Sequence, residues 1–177
     1  MTSAIHTKVI VLHGTGAVGK TQLATDVEKR YSHYFNRVFW LDGSSKPSLE
    51  SSFAQIIRQQ QATIDQKDSL EHSIIDDNHA LQECLAWLSL EANSHWLLVI
   101  DNVNGDFHAT DGSQPYDIKA YFPVMSDGTV LITSRSSVLG ELGIGIEVTR
   151  ENVYKARETL HNVIAFKFEG EFLSKTV

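Results

Sequence analysis

One cysteine and three prolines are all that this 177-residue chain holds of those residues, and each scarcity closes a class. Cys84 alone cannot form an internal disulfide, so the chain is no disulfide-stapled secreted module, and a reducing compartment fits it. So few prolines and no low-complexity tract exclude a linker or a fibrous repeat. The longest apolar runs, Val9 to Leu12 and Trp96 to Ile100, fall far short of the ~20 residues a membrane helix needs. Met1 to His6 carry neither a basic nor an apolar segment, so no signal peptide is visible, and no Asn-x-Ser/Thr sequon occurs. No Lys/Arg cluster offsets the net charge of −7, which disfavours nucleic-acid binding by charge. What is present is 42% hydrophobic and 21% charged residues, enough for the packed core of a single domain and too much for disorder. The expectation is a cytoplasmic globular domain with neither a nucleic-acid nor a membrane partner.

Short apolar runs alternate with helical patterns. Lys8 to His13 is β-branched and runs directly into glycines, which predicts a fully buried strand. Leu23, Val27, Tyr31 and Tyr34 then recur at helical spacing. Arg37 to Asp42 is the second strand. Pro47 suits the first turn of a helix whose apolar stripe is Leu49, Phe53, Ile56 and Ile57. The polar stretch Gln59 to Asp77 reads as a long surface loop. Asp77 or Asn78 is placed to cap a third helix that buries Leu81, Leu85 and Leu88. Trp96 to Asp101 and Thr129 to Ser134 are further strands, and Ile144 to Val148 a shorter fifth. Strands separated by helices make βαβ units and a parallel sheet covered on both faces. Val153, Ala156, Leu160, Val163 and Ile164 mark one more amphipathic helix, and the final AFKFEGEFLSKTV shows no interpretable pattern.

The strongest signal is Gly14-Thr15-Gly16-Ala17-Val18-Gly19-Lys20-Thr21, between the first strand and the first helix. It fits G-x-x-x-x-G-K-[ST]. Glycines let the backbone fold into a nest whose N–H groups converge on phosphate oxygens, and the helix that follows adds its unpaired donors and dipole. Lys20 supplies a point charge for the outer phosphates, and the Thr21 hydroxyl a ligand for Mg²⁺. The same glycines satisfy G-x-G-x-x-G (Gly14, Gly16, Gly19), and Asp42 ends the second strand, as the ribose-binding acid of an NAD-binding Rossmann domain does. Against that reading, a dinucleotide site has no need of Lys-Thr after the last glycine.

Asp101 ends the hydrophobic strand Trp96 to Ile100, which brings a carboxylate to the sheet edge that carries the glycine loop, in position to hold Mg²⁺. Asn102 follows it where fast ATPases of this kind place a second acid, and an amide cannot accept a proton near neutral pH, so slow turnover is expected. Arg135, after the fourth strand, is predicted to reach a γ-phosphate as a bidentate donor. Other patterns stay bland. The eight histidines include no H-E-x-x-H, and Asn102, Asn104 and Asp106 alternate as in a calcium loop but meet Phe107 where glycine is required. Trp40 and Trp96 read as core, and Ser44 and Ser45 as turn residues. No G-x-S-x-G occurs.

Taken in order, VIVLHGTGAVGKTQLA, RVFWLDGSSKPSLESSFAQI, WLLVIDNV and GTVLITSRS resemble the NB-ARC domain. That domain is the nucleotide-binding module of STAND signalling ATPases, among them plant immune receptors, apoptosis activators and fungal receptor-like proteins with helical repeats, the last being nearest in style. Family loops usually carry glycine where Ala17 stands. The resemblance covers about residues 7–150. It implies an α/β fold, the P-loop NTPase three-layer α/β/α sandwich with a five-stranded, mostly parallel sheet, the Arg135 strand lying between those of the loop and of Asp101. It implies that Gly14, Thr15, Gly16, Ala17, Val18, Gly19, Lys20, Thr21, Gln22 and Arg135 hold ADP or ATP and that Thr21 and Asp101 hold Mg²⁺. Lys20, Asp101 and Arg135 would be the catalytic set, with Arg135 the first sensor arginine.

The implied function is a nucleotide-state marker with slow or absent hydrolysis, in signal transduction of the innate-immunity kind. The rival from another class is a small P-loop kinase acting on a metabolite, which needs an acceptor pocket and an arginine-bearing lid; the span Asp106 to Met125 is not arginine-rich. A guanine-reading Asn-Lys-x-Asp is absent. The expected organisation is a nucleotide-binding domain over residues 1–150 and a C-terminal helix and tail over 151–177, shortened relative to a family module, since neither Gly-Leu-Pro-Leu nor Met-His-Asp occurs. A fragment, a stand-alone domain and a truncated product all fit that expectation. The helix is expected to pack on the sheet, with Phe166, Phe168 and Phe172 as a surface for a protein partner or self-association.

Overall fold

The structure, a computed structural model, describes residues 7–64, 77–103, 116–123 and 127–174. Its centre is a five-stranded, all-parallel sheet built from β1 (Lys8–His13), β2 (Arg37–Asp42), β3 (Trp96–Val103), β4 (Thr129–Ser134) and β5 (Ile144–Glu147), in the order β2-β3-β4-β1-β5. The inner strands read as unbroken apolar runs because both faces are covered. Alternate side chains feed two separate cores. Val11, Trp96, Leu98, Ile100, Val130 and Ile132 point to one face and meet Leu49, Phe53, Ile57, Cys84 and Leu88 from α2 (Lys46–Ile64) and α3 (Asp77–Leu88). Ile10, Leu12, Leu97, Val99 and Leu131 point to the other and meet Leu23, Val27, Ala156, Leu160 and Ile164 from α1 (Lys20–Tyr31) and α4 (Val153–Ser174). The result is the expected three-layer sandwich.

β4 lies between β1 and β3, in register from Lys8↔Thr129 to His13↔Ser134 on one side and from Leu97↔Thr129 to Ile100↔Ile132 on the other. The C-terminal ends of the loop strand, the Asp101 strand and the Arg135 strand therefore share one edge, where open α/β sheets bind ligands. This order is not that of a dinucleotide-binding fold, whose ribose acid sits on the strand beside β1. Here β3 and β4 separate β2 from β1, about 14 Å at the usual strand spacing. The Asp42 carboxylate accepts the Ser44 N–H at 2.9 Å instead, which makes Asp42 and Ser44 a turn.

Four expectations are corrected. The helix α2 runs on to Ile64, so Gln59 to Ile64 is helical rather than loop; residues 65–76 lie outside those described. The tail read as uninterpretable continues α4 to Ser174, and β3 continues past Asp101 to Val103. Trp96 is fully buried, its Nε1 donating to the Leu88 carbonyl at 2.9 Å, but Trp40 is not core: it is 37% exposed on the edge strand and donates to Glu28 Oε2 at 2.8 Å. The cap expected of Asp77 or Asn78, the contacts of Phe168 and Phe172, and most of the span Asp106 to Met125 lie outside the described residues.

Candidate functional site

The loop between β1 and α1 takes its shape from backbone conformations that ordinary side chains avoid. Gly14 has φ +144°, and a Cβ there would stand 2.2 Å from the Val148 carbonyl oxygen, so no other residue fits. Gly19 has φ +99° and Ala17 φ +59°, the latter a left-handed alanine where family loops carry glycine. Val18 turns its side chain into the α1 core, so it can serve a ligand only through its backbone. Gln22 brings its side-chain oxygen within 3.4 Å of where a Cβ on Gly19 would lie.

Lys20 folds back across this loop and donates from Nζ to the carbonyls of Gly14 (2.8 Å) and Thr15 (2.6 Å). Arg135, exposed at the end of β4, brings its guanidinium to 3.8 Å from the position a Cβ on Gly16 would take. Two cations thus face the loop together. Desolvation pushes the Lys20 ammonium below the usual lysine pKa, the nearby Arg135 charge pushes the same way, and Asp101 opposes both. An anion between the two cations relieves that strain.

Thr21 and Asp101, eighty positions apart in the chain, meet at this edge: the Thr21 hydroxyl donates to Asp101 Oδ1 at 2.9 Å. Oδ1 accepts a second proton from Thr133 Oγ1 at 2.5 Å, and Thr133 Oγ1 in turn accepts the Asn102 N–H at 2.9 Å. Asn102 has φ +63°, a conformation that asparagine tolerates better than most residues. Ser134, fully buried, donates to the Val103 carbonyl at 2.6 Å and accepts the Ser136 N–H at 2.9 Å, which fixes the backbone ahead of Arg135.

These residues line one cleft of about 520 Å³: Gly16 to Gln22 on one wall, Asp101, Asn102, Thr133, Ser134 and Arg135 on the other. That volume lies within the range of small-ligand sites. Of the loop residues singled out from the sequence, Gly16 to Gln22 are there, with Asp101 and Arg135, whereas Gly14 and Thr15 do not line the cleft and offer their carbonyls to Lys20; Thr133 and Ser134 were missed. Their signal in the sequence was a pair of polar residues closing an otherwise apolar strand. A glycine nest with two facing cations suits a polyphosphate, and a hydroxyl paired with a carboxylate is a hard-oxygen set suited to Mg²⁺ shared with phosphate and water. Among the described residues, no group of three or more His, Cys, Asp or Glu is placed to hold a metal.

A parallel sheet in this order, with a glycine nest, Lys20 and Thr21 opening α1 and an aspartate near the C-terminal end of β3, defines a P-loop nucleoside triphosphatase fold. Within that class the match is specific: the NB-ARC domain model matches residues 2–164, and the chain belongs to that family of nucleotide-binding signalling ATPases. No curated protein matches the chain.

Proposed function

We propose that this chain is an adenine-nucleotide-binding domain that holds ADP or Mg-ATP as a state marker in a STAND-type signalling protein, with slow or absent hydrolysis. The observation that carries the reading is the pairing of two sites in one cleft: Lys20 and Arg135 over the loop, and Thr21 hydrogen-bonded to Asp101 beside them. In this reading the loop N–H groups and Lys20 bind the phosphates. Arg135 reads the γ-phosphate, and Thr21 and Asp101 hold Mg²⁺, which when bound neutralises phosphate charge. The adenine preference rests on family membership.

Slow turnover is supported by the cleft's inventory. Its lining holds one carboxylate, Asp101, and no histidine among the described residues. Asn102 is a neutral amide with no capacity to take a proton from water near pH 7. A carboxylate engaged with a cation is a poor base, so the residues lining the cleft offer no strong one. Residues 1–150 form the nucleotide module in this reading, and 151–177 a segment for protein contact, with a partner or a second copy; Tyr154 and Phe166 stand 82% and 78% exposed on α4.

The test is to purify the chain natively, denature it, identify the released nucleotide, and measure ATP turnover. ADP or ATP near one per chain is expected, with turnover far below the ~10 s⁻¹ of a median enzyme. Released NAD, or brisk turnover, overturns the reading.

A further inference from the structure

Asp101 and Asn102 sit on an irregularity in the sheet. β3 pairs with β4 residue by residue up to Ile100↔Ile132 and resumes at Val103↔Ser134. Two residues of β3, Asp101 and Asn102, therefore oppose the single residue Thr133 of β4, which is a β-bulge. The bulge and the left-handed φ of Asn102 bring its N–H onto the Thr133 side chain. With that N–H occupying a lone pair, the one proton of the Thr133 hydroxyl is directed to Asp101 Oδ1. Thr133 is buried, 2% exposed, and its hydroxyl has no other protein partner among the described residues.

We propose that Thr133 is the positioning residue for the cation-holding carboxylate. The inference rests on the reading of Asp101 as the Mg²⁺ carboxylate and adds what orients it. Thr21, the other donor to Oδ1, lies on the exposed wall and is itself a ligand in that reading. A hydrogen bond from Thr21 alone would let the carboxylate rotate with the ligand set. Thr133, anchored in the sheet and polarised by the Asn102 N–H, holds Oδ1 from the protein side. Partners that orient a ligating group in this way typically contribute 10–100-fold to metal affinity. The bulge has a purpose on this account: without it, Thr133 would face one residue and could not link Asp101 to Asn102.

The experiment measures binding of a fluorescent ADP analogue to the full chain, in Mg²⁺ and in EDTA, for the native chain, Thr133→Val and Thr133→Ser. Valine keeps the branched shape without the hydroxyl, and serine keeps the hydroxyl. In the native chain Mg²⁺ should tighten binding. Thr133→Val should reduce that Mg²⁺ enhancement about tenfold while affinity in EDTA stays within about twofold, and Thr133→Ser should restore it. An undiminished enhancement in Thr133→Val overturns the inference. So does an equal loss in Mg²⁺ and EDTA, the signature of packing alone. Absence of nucleotide binding by the native chain removes the nucleotide reading and this inference with it; native binding that Mg²⁺ does not tighten removes only the cation role of Asp101 and the positioning role built on it.

Discussion

Ala17 and Lys20 show most directly how single residues set the loop's energetics. A left-handed alanine costs roughly 1–2 kcal/mol, and a glycine there gives back part of that through the freer unfolded chain. Ala17→Gly should therefore raise the unfolding free energy by up to about 1 kcal/mol, read by urea denaturation. A loss of stability would show that the alanine methyl makes a contact worth more than the strain. Lys20 carries a second prediction, about protons. Its pKa is lowered by desolvation and by Arg135, and a bound polyphosphate favours its charged form, so binding should raise that pKa. Binding should then take up protons between the lowered value and the raised one, and affinity should fall as pH rises through the lowered value, with no pH dependence from Lys20 below it. Calorimetry in two buffers of different ionisation enthalpy reads the uptake; equal heats would contradict it. At this scale the sequence was legible where the cleft lining is contiguous, as from Gly16 to Gln22. Thr133 was not, because its partner Asp101 lies 32 positions away and only the pairing of β3 with β4 brings them together.

At the scale of elements, α4 is held to α1 by more than apolar packing. Asp26 on α1 pairs with Arg157 at 3.0 Å and stands 3.4 Å from His161 Nε2, while His161 Nδ1 lies 3.0 Å from the Tyr31 hydroxyl. Lys8 Nζ donates to the Val163 carbonyl at 2.8 Å and ties the same helix to β1. Burial lowers the His161 pKa below 6.5; Arg30 and Arg157 push it the same way, and Asp26 only partly opposes them. The unfolded chain therefore binds more protons than the folded one as pH falls below 6.5, and stability is lost through that window until the lowered value is passed. Urea denaturation from neutral to mildly acidic pH should show the native chain losing more stability than His161→Gln. Equal slopes would mean that His161 titrates alike in both states. The ends of α2 and α4 were the least legible elements. Gln59 to Ile64 and the segment after Ile164 lack a continuous apolar stripe, and a polar helix extension gives periodicity nothing to act on. Inner strands were easy, because a strand buried on both faces is an apolar run bounded by turns.

For the whole molecule, strand order is what turns scattered motifs into one site. Periodicity alone predicts a parallel sheet but not which strands are neighbours; the placement of β4 between β1 and β3 came from resemblance and is what the structure holds. That order sets Lys20, Thr21, Asp101 and Arg135 around one cleft and keeps Asp42 away from it. The central claim is that this cleft binds a nucleotide through its phosphates, with Lys20 as the main charged contact. The direct measurement is calorimetric titration of ADP with Mg²⁺ into the native chain and into Lys20→Ala, each checked for an unchanged fold by circular dichroism. A charge-assisted contact contributes about 1.5–3 kcal/mol, so the account predicts saturable binding at one ADP per native chain and affinity weaker by roughly tenfold or more in the variant. Equal affinity in the two chains, or no binding by the native one, would contradict it.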